Sequence, residues 1–380
     1  MGEPVIVAAV RTPIGKVGGA LRGVTPAALF AHVLDALLER SGVDPAAVED
    51  VVTGCVTQAG EQGANVGRLG VLLSRLPVSV PAVTLDRMCG SSQQAVHFAA
   101  QAIAAGDQSV AIAGGVESMT RAPMFSDIGG GFERLDPALR ARHELIHQGE
   151  SAERIAARYG LSRRALDAFG YESHVRAARA QREGRQRHEI APFAELDHDE
   201  GVRLEPSLER MLALPPAFRA DGVVTAGNSS QISDGAAAVL IAERERAAGL
   251  GLRARARFRA RVVVAGDPTL QLLEVIPATH RALAQAGLSL REIDAIEINE
   301  AFACVVLAWA REMERAYGPL DMERVNPNGG AIAHGHPLGA TGAILMTKLL
   351  YELERREGRY GLQVMCIGHG MATATIIERM

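Results

Sequence analysis

The feature of this sequence that most constrains its fold is an internal repeat. Residues 36–54 (ALLERSGVDPAAVEDVVTG) and residues 281–299 (RALAQAGLSLREIDAIEIN) share one pattern. Each reads as an amphipathic helix that ends at a glycine, a short turn with spaced Val or Ile residues, and a buried strand. Gly42 and Gly287 occupy equivalent places in the two copies. The repeat therefore predicts two similar α/β halves that pack against each other.

The repeated pattern continues downstream in both halves. Cys89 precedes a helix pattern, SQQAVHFAAQAIAAG, which the strand pattern SVAIAGG follows. In the second half NGGAIAHGHPLGATG precedes the helix pattern AILMTKLLYELERR and the strand pattern LQVMCIG. The helix after Cys89 is apolar nearly all round, which is typical of a helix buried on every side.

A segment of different composition separates the two halves. Residues 119–247 are richer in Arg, Glu and His and contain helix patterns such as SAERIAARYG. A solvated helical linker fits this charge, but the length favours an inserted domain that lies over the site. We therefore expect a first half at 1–118, an inserted loop domain at 119–247 and a second half at 248–380.

Composition excludes several classes of function and partner. The 40 basic and 44 acidic residues give a net charge of −4, without a block of like charge, so we expect no nucleic-acid partner. No segment has the length or the pattern of a membrane span or a signal peptide, which predicts no membrane association and a cytoplasmic location. The four cysteines are widely spaced and form no CxxC pair, which favours reduced thiols and no metal site.

Cys89 is the first candidate catalytic residue. It lies in LDRMCGSSQQAV, after an extended segment and at the start of a helix. The positive end of the helix dipole lowers the pKa of a thiol placed there and favours the thiolate. An inert packing cysteine is an equally good interpretation of this segment alone.

Three further motifs carry residues of the same chemistry. His336, next to Pro337 in a glycine-rich turn, is a candidate base, although a capping histidine in a tight turn fits this motif alone slightly better. His334 is assigned a supporting or packing role. Cys366 and Gly368 end an apolar strand, where a thiol and free backbone N–H groups can move a proton and bind an oxyanion. Asn299 ends another strand, where it can hold a water or a carbonyl group, although a plain helix cap also fits.

Together these motifs resemble the thiolase family over essentially the whole chain. The family signatures are Cys89-Gly-Ser, Asn299-Glu-Ala-Phe, Gly335-His336-Pro337 and Cys366-Ile-Gly368, and the segments VAAVRTPIGK, AGGVESMTRAPM and TAGNSSQISDGAAA are also similar to it. The resemblance implies a duplicated five-layer αβαβα core with an inserted loop domain. It also implies reversible, CoA-dependent cleavage of 3-oxoacyl-CoA, or Claisen condensation of acyl-CoA, with no bound cofactor or metal.

The resemblance also implies a role for each of the matched residues. Cys89 would carry the acyl group, His336 would activate it, and Cys366 would remove or return the α proton. Asn299 would hold a water that forms one oxyanion hole with His336. The backbone amides of Cys89 and Gly368 would form the other.

A second group of residues is implied to bind CoA and the acyl-CoA substrate. Arg203 would lie near the nucleotide, Phe218 along the pantetheine, and Ser230 would hydrogen-bond a pantetheine amide. His147 would line the same tunnel, and Phe302 belongs to the same set. For Arg203 a plain surface arginine fits nearly as well, and Phe218 could simply fill the core.

The sequence departs from the family pattern at three places. Residues 270–277 (LQLLEVIP) replace a Met and a small-residue stretch, which predicts a reshaped acyl pocket. His369 stands where a further glycine is usual. The stretch 119–149 is shorter than in tetrameric members, so both a homodimer and a homotetramer stay open.

Two alternatives to a working thiolase remain at this stage. A decarboxylating or hydroxymethylglutaryl-type condensing enzyme would replace the second cysteine, so Cys366 argues against it. A thiolase-like binding or scaffold protein with little turnover would not need Cys89, Asn299, His336 and Cys366 together.

Overall fold

The structure is a computed structural model, and it describes residues 2–380. The strands are β1 (Pro4–Arg11), β2 (Gly15–Lys16), β3 (Asp50–Gly54), β4 (Ala82–Leu85), β5 (Val110–Ser118), β6 (Ser233–Glu243), β7 (Ala256–Ala265), β8 (Ala295–Ile298), β9 (Tyr360–Ile367) and β10 (Met371–Arg379). The helices are α1 (Pro26–Ser41), α2 (Val66–Leu73), α3 (Ser91–Ala105), α4 (Pro137–Arg142), α5 (Gln148–Arg158), α6 (Arg163–Arg182), α7 (Leu208–Leu212), α8 (Arg244–Gly249), α9 (Val275–Ala286), α10 (Ala303–Tyr317), α11 (Ala331–His334) and α12 (Thr341–Arg356).

The strands are hydrogen-bonded in one continuous ten-stranded arrangement, whose two halves have matching topology and are called the first and the second sheet. The first half has the order β4-β3-β5-β6-β1, and the second half has the order β8-β9-β10-β7. In the first half β3 is parallel to both β4 and β5, and in the second half β8 is parallel to β9. The pairs that follow in each half are antiparallel. The two sheets are joined where β1 pairs with β7 at Val5–Arg257 and Ile6–Ala256.

The helices complete five layers around these sheets. Helices α3 and α12 contact each other and the strands of both halves, so they form the central layer. Helix α1 packs on the outer side of the first sheet with α2, and α9 packs on the second sheet with α10. A central helix has no face toward water, which is why α3 and α12 are apolar or internally paired nearly all round. The predicted layered α/β fold is confirmed.

The repeat seen in the sequence has the predicted local structure. Helix α1 ends at Gly42 and helix α9 at Gly287, and both glycines have φ of 68°. Glycine adopts this left-handed backbone without a steric penalty, so it ends each helix and turns the chain toward a strand. A single 3-10 turn follows in each copy before β3 or β8 begins.

The inserted segment lies between β5 and β6 and contains α4 to α7. Its predicted end at residue 247 is too late, because β6 pairs with both β5 and β1 inside the first sheet. Residues 233–243 are therefore a central strand of the first half. The start of this strand is not visible in the sequence TAGNSSQISDGAAA, because its polar first part is followed by its apolar end without a turn signal between them.

A buried ion cluster fixes the inserted segment to the first sheet. Arg11 of β1 is fully buried and pairs with Asp199 at 2.7 Å and with Glu189 at 2.7 Å. Asp199 also accepts a hydrogen bond from the backbone of Ile14 at 2.9 Å.

Within residues 2–380 no helix is both long and apolar enough to cross a membrane.

Candidate active site

Cys89 lies in the short loop between β4 and α3. The loop turns through Met88, whose φ of 46° is left-handed, and Asp86 Oδ1 accepts the backbone N–H of Met88 at 2.6 Å. This turn places Cys89 two residues before the first residue of α3, and its side chain is almost fully buried.

The ionisation state of Cys89 differs from the prediction. Burial raises the pKa of the thiol to about 12, although hydrogen bonds from backbone amides, including that of Gly368, lower it. The expected thiolate is therefore wrong for the unliganded protein, because desolvation outweighs the helix N-terminus. A protonated Cys89 needs a base to become a nucleophile.

His336 has the protonation state of a base. Its Nδ1 is 2.6 Å from Thr341 Oγ1, and Thr341 Oγ1 donates its only proton to the carbonyl of Pro337 at 2.9 Å. The hydroxyl must then accept from His336, so Nδ1 carries the proton and Nε2 keeps a lone pair. Burial lowers the pKa of His336 to about 4, which keeps the imidazole neutral at pH 7.

Asn299 links His336 to the second thiol. Its amide Nδ2 is 3.4 Å from His336 Nε2 and 3.6 Å from Cys366 Sγ. Its Oδ1 is buried and has no hydrogen-bond partner among the residues that the structure describes. An unpaired buried acceptor is costly, so a water or a ligand group is expected at this oxygen.

Cys366 ends β9 beside this amide. Burial raises the pKa of its thiol to about 11, and the hydrogen bond from Asn299 opposes that shift. The two thiols are close enough for charge on Cys366 to raise the pKa of Cys89. The structure therefore brings the five predicted residues Cys89, Asn299, His336, Cys366 and Gly368 together from four separate segments.

Glu117 is a residue of the site that sequence analysis missed. Its Oε2 accepts the backbone N–H groups of Val56 and Gly339, both at 2.8 Å, and Oε1 accepts from Thr57 at 3.1 Å. It thus ties a loop of the first half to the turn that follows His336. A fully buried glutamate inside the apolar run VAIAGGVES was the available signal.

His334 has the supporting position that was predicted. Its Nδ1 pairs with Asp199 Oδ2 at 2.7 Å, and its Nε2 is 2.8 Å from the carbonyl of Asn328. Because Asp199 also binds Arg11, the histidine turn is anchored to the inserted segment and to β1.

Two adjoining cavities of about 310 Å³ each open at these residues. The first, the Cys89 cavity, is lined by residues that include Met88, Cys89, Phe125, Phe132, Leu338 and His369. The second, the His336 cavity, is lined by residues that include His147, Phe218, Ser230, Phe302, His336 and Leu338. Both are lined by Met124, Phe125, Gln148 and Leu338, so the two cavities are immediate neighbours.

Four of the five predicted CoA-binding residues line the His336 cavity. The rings of His147 and Phe218 are 5.2 Å apart, those of Phe218 and Phe302 are 6.0 Å apart, and Ser230 lies on the same wall. Arg203 is exposed and lines neither cavity. The shared Met124, Phe125 and Gln148 were not predicted, although Met124 ends the family-like segment AGGVESMTRAPM and Gln148 follows His147.

Residues 270–277 do not line the Cys89 cavity, contrary to expectation. Gln271 is instead buried behind it, where Nε2 donates to Ser151 Oγ at 2.9 Å and to the carbonyl of Ile146 at 3.1 Å. Its Oε1 accepts the backbone N–H of His369 at 3.0 Å. The departure from the family pattern therefore acts through the position of His369.

Among residues 2–380 no cluster of His, Cys, Asp or Glu has the arrangement of a metal site.

A duplicated layered fold that brings two thiols, a neutral histidine and an asparagine together next to two cavities is typical of an enzyme that transfers acyl groups. Residues 4–245 match the family model described as the thiolase N-terminal domain, and residues 252–379 match the thiolase C-terminal domain. The chain belongs to the thiolase family. It is a CoA-dependent thiolase, which takes CoA and acyl-CoA as substrates and uses no bound cofactor.

Individual relatives cover the chain from end to end. It is 47% identical to a steroid 3-ketoacyl-CoA thiolase of Mycobacterium tuberculosis, covering 100% of this chain and 95% of that one. It is 44% identical to a beta-ketoadipyl-CoA thiolase of Escherichia coli, with 100% of both covered. The crystal structure of the Bacillus anthracis acetyl-CoA acetyltransferase superposes with a TM-score of 0.91 at 36% identity, covering 100% of this chain and 99% of that one.

Proposed function

We propose that this thiolase cleaves or forms 3-oxoacyl-CoA through an acyl thioester on Cys89, with His336 as its base. The observation that carries the assignment is the lone pair of His336 Nε2, which the Thr341 hydroxyl fixes beside Asn299 and Cys366. A neutral imidazole with an unprotonated nitrogen is the form that accepts a proton from a thiol.

Cleavage starts with transfer of the Cys89 proton to His336. The thiolate attacks the ketone carbon of the 3-oxoacyl-CoA, and a tetrahedral oxyanion forms. The bond between this carbon and the α carbon then breaks, and its electron pair forms the enolate of acetyl-CoA. The Cys366 thiol protonates that enolate, which leaves an acyl thioester on Cys89.

The second half of the reaction restores both thiols. His336 first returns its proton to the Cys366 thiolate. His336 then accepts the proton of the incoming CoA thiol, whose sulfur attacks the acyl thioester. Cys89 leaves as a thiolate and recovers its proton from His336, so all atoms and charges balance. Condensation is the same path in reverse, and metabolite levels set the direction.

Two sets of donors stabilise the two oxyanions in this proposal. The amides of Cys89 and Gly368 serve the tetrahedral intermediate, and their contribution to the pKa of Cys89 supports this role. A water on Asn299 Oδ1, with His336, serves the enolate, and the unpartnered Oδ1 supports it. One such donor typically lowers the activation free energy by about 3 kcal/mol.

We assign the His336 cavity to the pantetheine of CoA. Its aromatic wall of His147, Phe218 and Phe302 suits an apolar chain, and Ser230 supplies a polar group. In this assignment Arg203 remains outside, at the exposed surface, where it would meet the nucleotide.

We propose that two copies of the chain associate through the edge strand β4. A homotetramer would need further contacts between two such dimers. Strand β4 pairs only with β3 in the structure, and exposed apolar side chains surround it: Leu72, Leu73, Val78 and Val83. An open apolar edge favours pairing with another strand. Sedimentation of the purified chain tests the assembly, and a monomer would contradict it.

We also propose a cytoplasmic location, which the four free cysteines support.

The test of the assigned reaction is a CoA-dependent cleavage assay with acetoacetyl-CoA, combined with intact mass after incubation with acetyl-CoA. We expect turnover and a single acetyl adduct, both of which disappear in Cys89→Ala. Cys304→Ala is the matched control, since Cys304 is also buried but lines neither cavity. An adduct that survives in Cys89→Ala would overturn the assignment of the nucleophile.

A further inference from the structure

His369 occupies a place in the Cys89 cavity that the reaction described above does not use. One wall of this cavity is built from Phe125 and Phe132, whose rings are 5.3 Å apart, and from His369, 5.9 Å from Phe132. The shared Phe125 connects this wall to the CoA side. Because Cys89 lines the same cavity, the aromatic wall and His369 are neighbours available to an acyl group on Cys89.

The His369 side chain has unused hydrogen-bonding capacity. Among residues 2–380 neither ring nitrogen has a hydrogen-bond partner, and the side chain is only partly buried. Burial lowers the pKa of His369, so the ring is neutral at pH 7 and offers one donor and one acceptor. Such a ring can bind a hydroxyl or a ketone without carrying a charge.

The charges around the Cys89 cavity are negative. Its charged lining residues are Asp86 and Asp127, and no Lys or Arg lines it in the described part of the chain. A carboxylate on the acyl group would meet two like charges and no cationic partner, which disfavours binding. Hydroxyl or ketone oxygens avoid this repulsion.

The backbone of His369 is in a strained conformation. Its φ of 61° is left-handed, a conformation that glycine adopts freely and that costs other residues about 1–2 kcal/mol. The Oε1 of buried Gln271 accepts the His369 N–H at 3.0 Å and holds it there. A strained residue that is held in place and aimed into a binding cavity suggests a functional role.

We propose that His369 is a specificity-determining residue that hydrogen-bonds an uncharged oxygen, a hydroxyl or ketone, on the acyl chain beyond the reacting ketone. The preferred substrates are then oxygenated 3-oxoacyl-CoAs without a terminal carboxylate. This inference rests on the proposed function, because it takes Cys89 as the acyl carrier.

The test compares kcat/KM for cleavage of four thioesters: acetoacetyl-CoA, 3-oxooctanoyl-CoA, 8-hydroxy-3-oxooctanoyl-CoA and 3-oxoadipyl-CoA. We expect the hydroxylated chain to exceed the plain chain about fivefold, the effect of one hydrogen bond between neutral groups. His369→Gly should remove this advantage and leave acetoacetyl-CoA cleavage unchanged within about twofold. Glycine is also compatible with φ of 61°, so loss of folding does not confuse the result.

His369→Gln is the matched variant, because an amide can still bind the hydroxyl, and it should retain part of the advantage. The inference would be overturned if His369→Gly kept the same ratio of kcat/KM between the hydroxylated and the plain substrate. Preferred cleavage of 3-oxoadipyl-CoA by the unmodified protein would also overturn it. If the unmodified protein cleaved none of the four thioesters, the proposed reaction itself would be overturned.

Discussion

His336 Nδ1 lies 2.6 Å from Thr341 Oγ1, and this hydroxyl is already donating to the carbonyl of Pro337. The pair determines which histidine nitrogen carries the proton. Both residues belong to one turn at the start of α12, so the helix that fills the central layer also orients the base.

Thr341→Val should slow the reaction without unfolding the protein. Valine has the shape of threonine but cannot accept the Nδ1 proton, so the imidazole loses its fixed tautomer. We expect kcat to fall about tenfold, a typical loss for a residue that orients a catalytic or ligating histidine. Steady-state cleavage of acetoacetyl-CoA measures this, and Thr341→Ser is the control that restores the hydroxyl. Equal kcat in Thr341→Val and the unmodified protein would contradict the role of the pair.

Cys366→Ala should separate the two half-reactions. The variant keeps Cys89 and His336, so it should still form the acetyl adduct when incubated with acetyl-CoA. It lacks the group that moves the α proton, so turnover should fall by about 10²-fold or more. Intact mass and a cleavage assay on the same sample check both points. Loss of the adduct would show that the roles of the two thiols are wrongly divided.

Acylation of Cys89 should remain fast at mildly acidic pH. Burial lowers the pKa of His336 to about 4, so its base form is present above that pH and is lost only as the pH falls through about 4. An ordinary imidazole, with a pKa of about 6.5, would be about 90% protonated at pH 5.5. We expect the acetylation rate at pH 5.5 to be within about twofold of the rate at pH 7. A fall with an apparent pKa near 6.5 would contradict the lowered value.

Arg11→Leu should strongly destabilise the fold. Arg11 is fully buried, and its loss leaves Asp199 and Glu189 without their shared cation. Removing one partner of a buried ion pair costs about 3–5 kcal/mol in the free energy of unfolding. Chemical denaturation measures it, and Arg75→Ala, which breaks the exposed pair with Asp35, is the control with a change below about 1 kcal/mol. Equal stability of the two variants would show that the buried cluster contributes little.

The sequence determined the repeat, the layered fold and the family. Local patterns predicted the helix ends at Gly42 and Gly287, the buried strands after them and the buried helix α3. Periodicity and backbone freedom are properties of short segments, so they can be seen in the sequence. The motifs around Cys89, Asn299, His336 and Cys366 were also visible, since each follows a strand or begins a helix.

Only the tertiary structure decided the electrostatics and the boundaries of the site. The helix start after Cys89 suggested a thiolate, but the pKa depends on how much water the folded chain removes, and burial raises it. Glu117, Asp199 and Gln271 act on the site from distant positions, so no local pattern could connect them to it. The place of β6 in the first sheet was likewise set by pairing with β5 and β1, which is a contact between segments far apart in the chain.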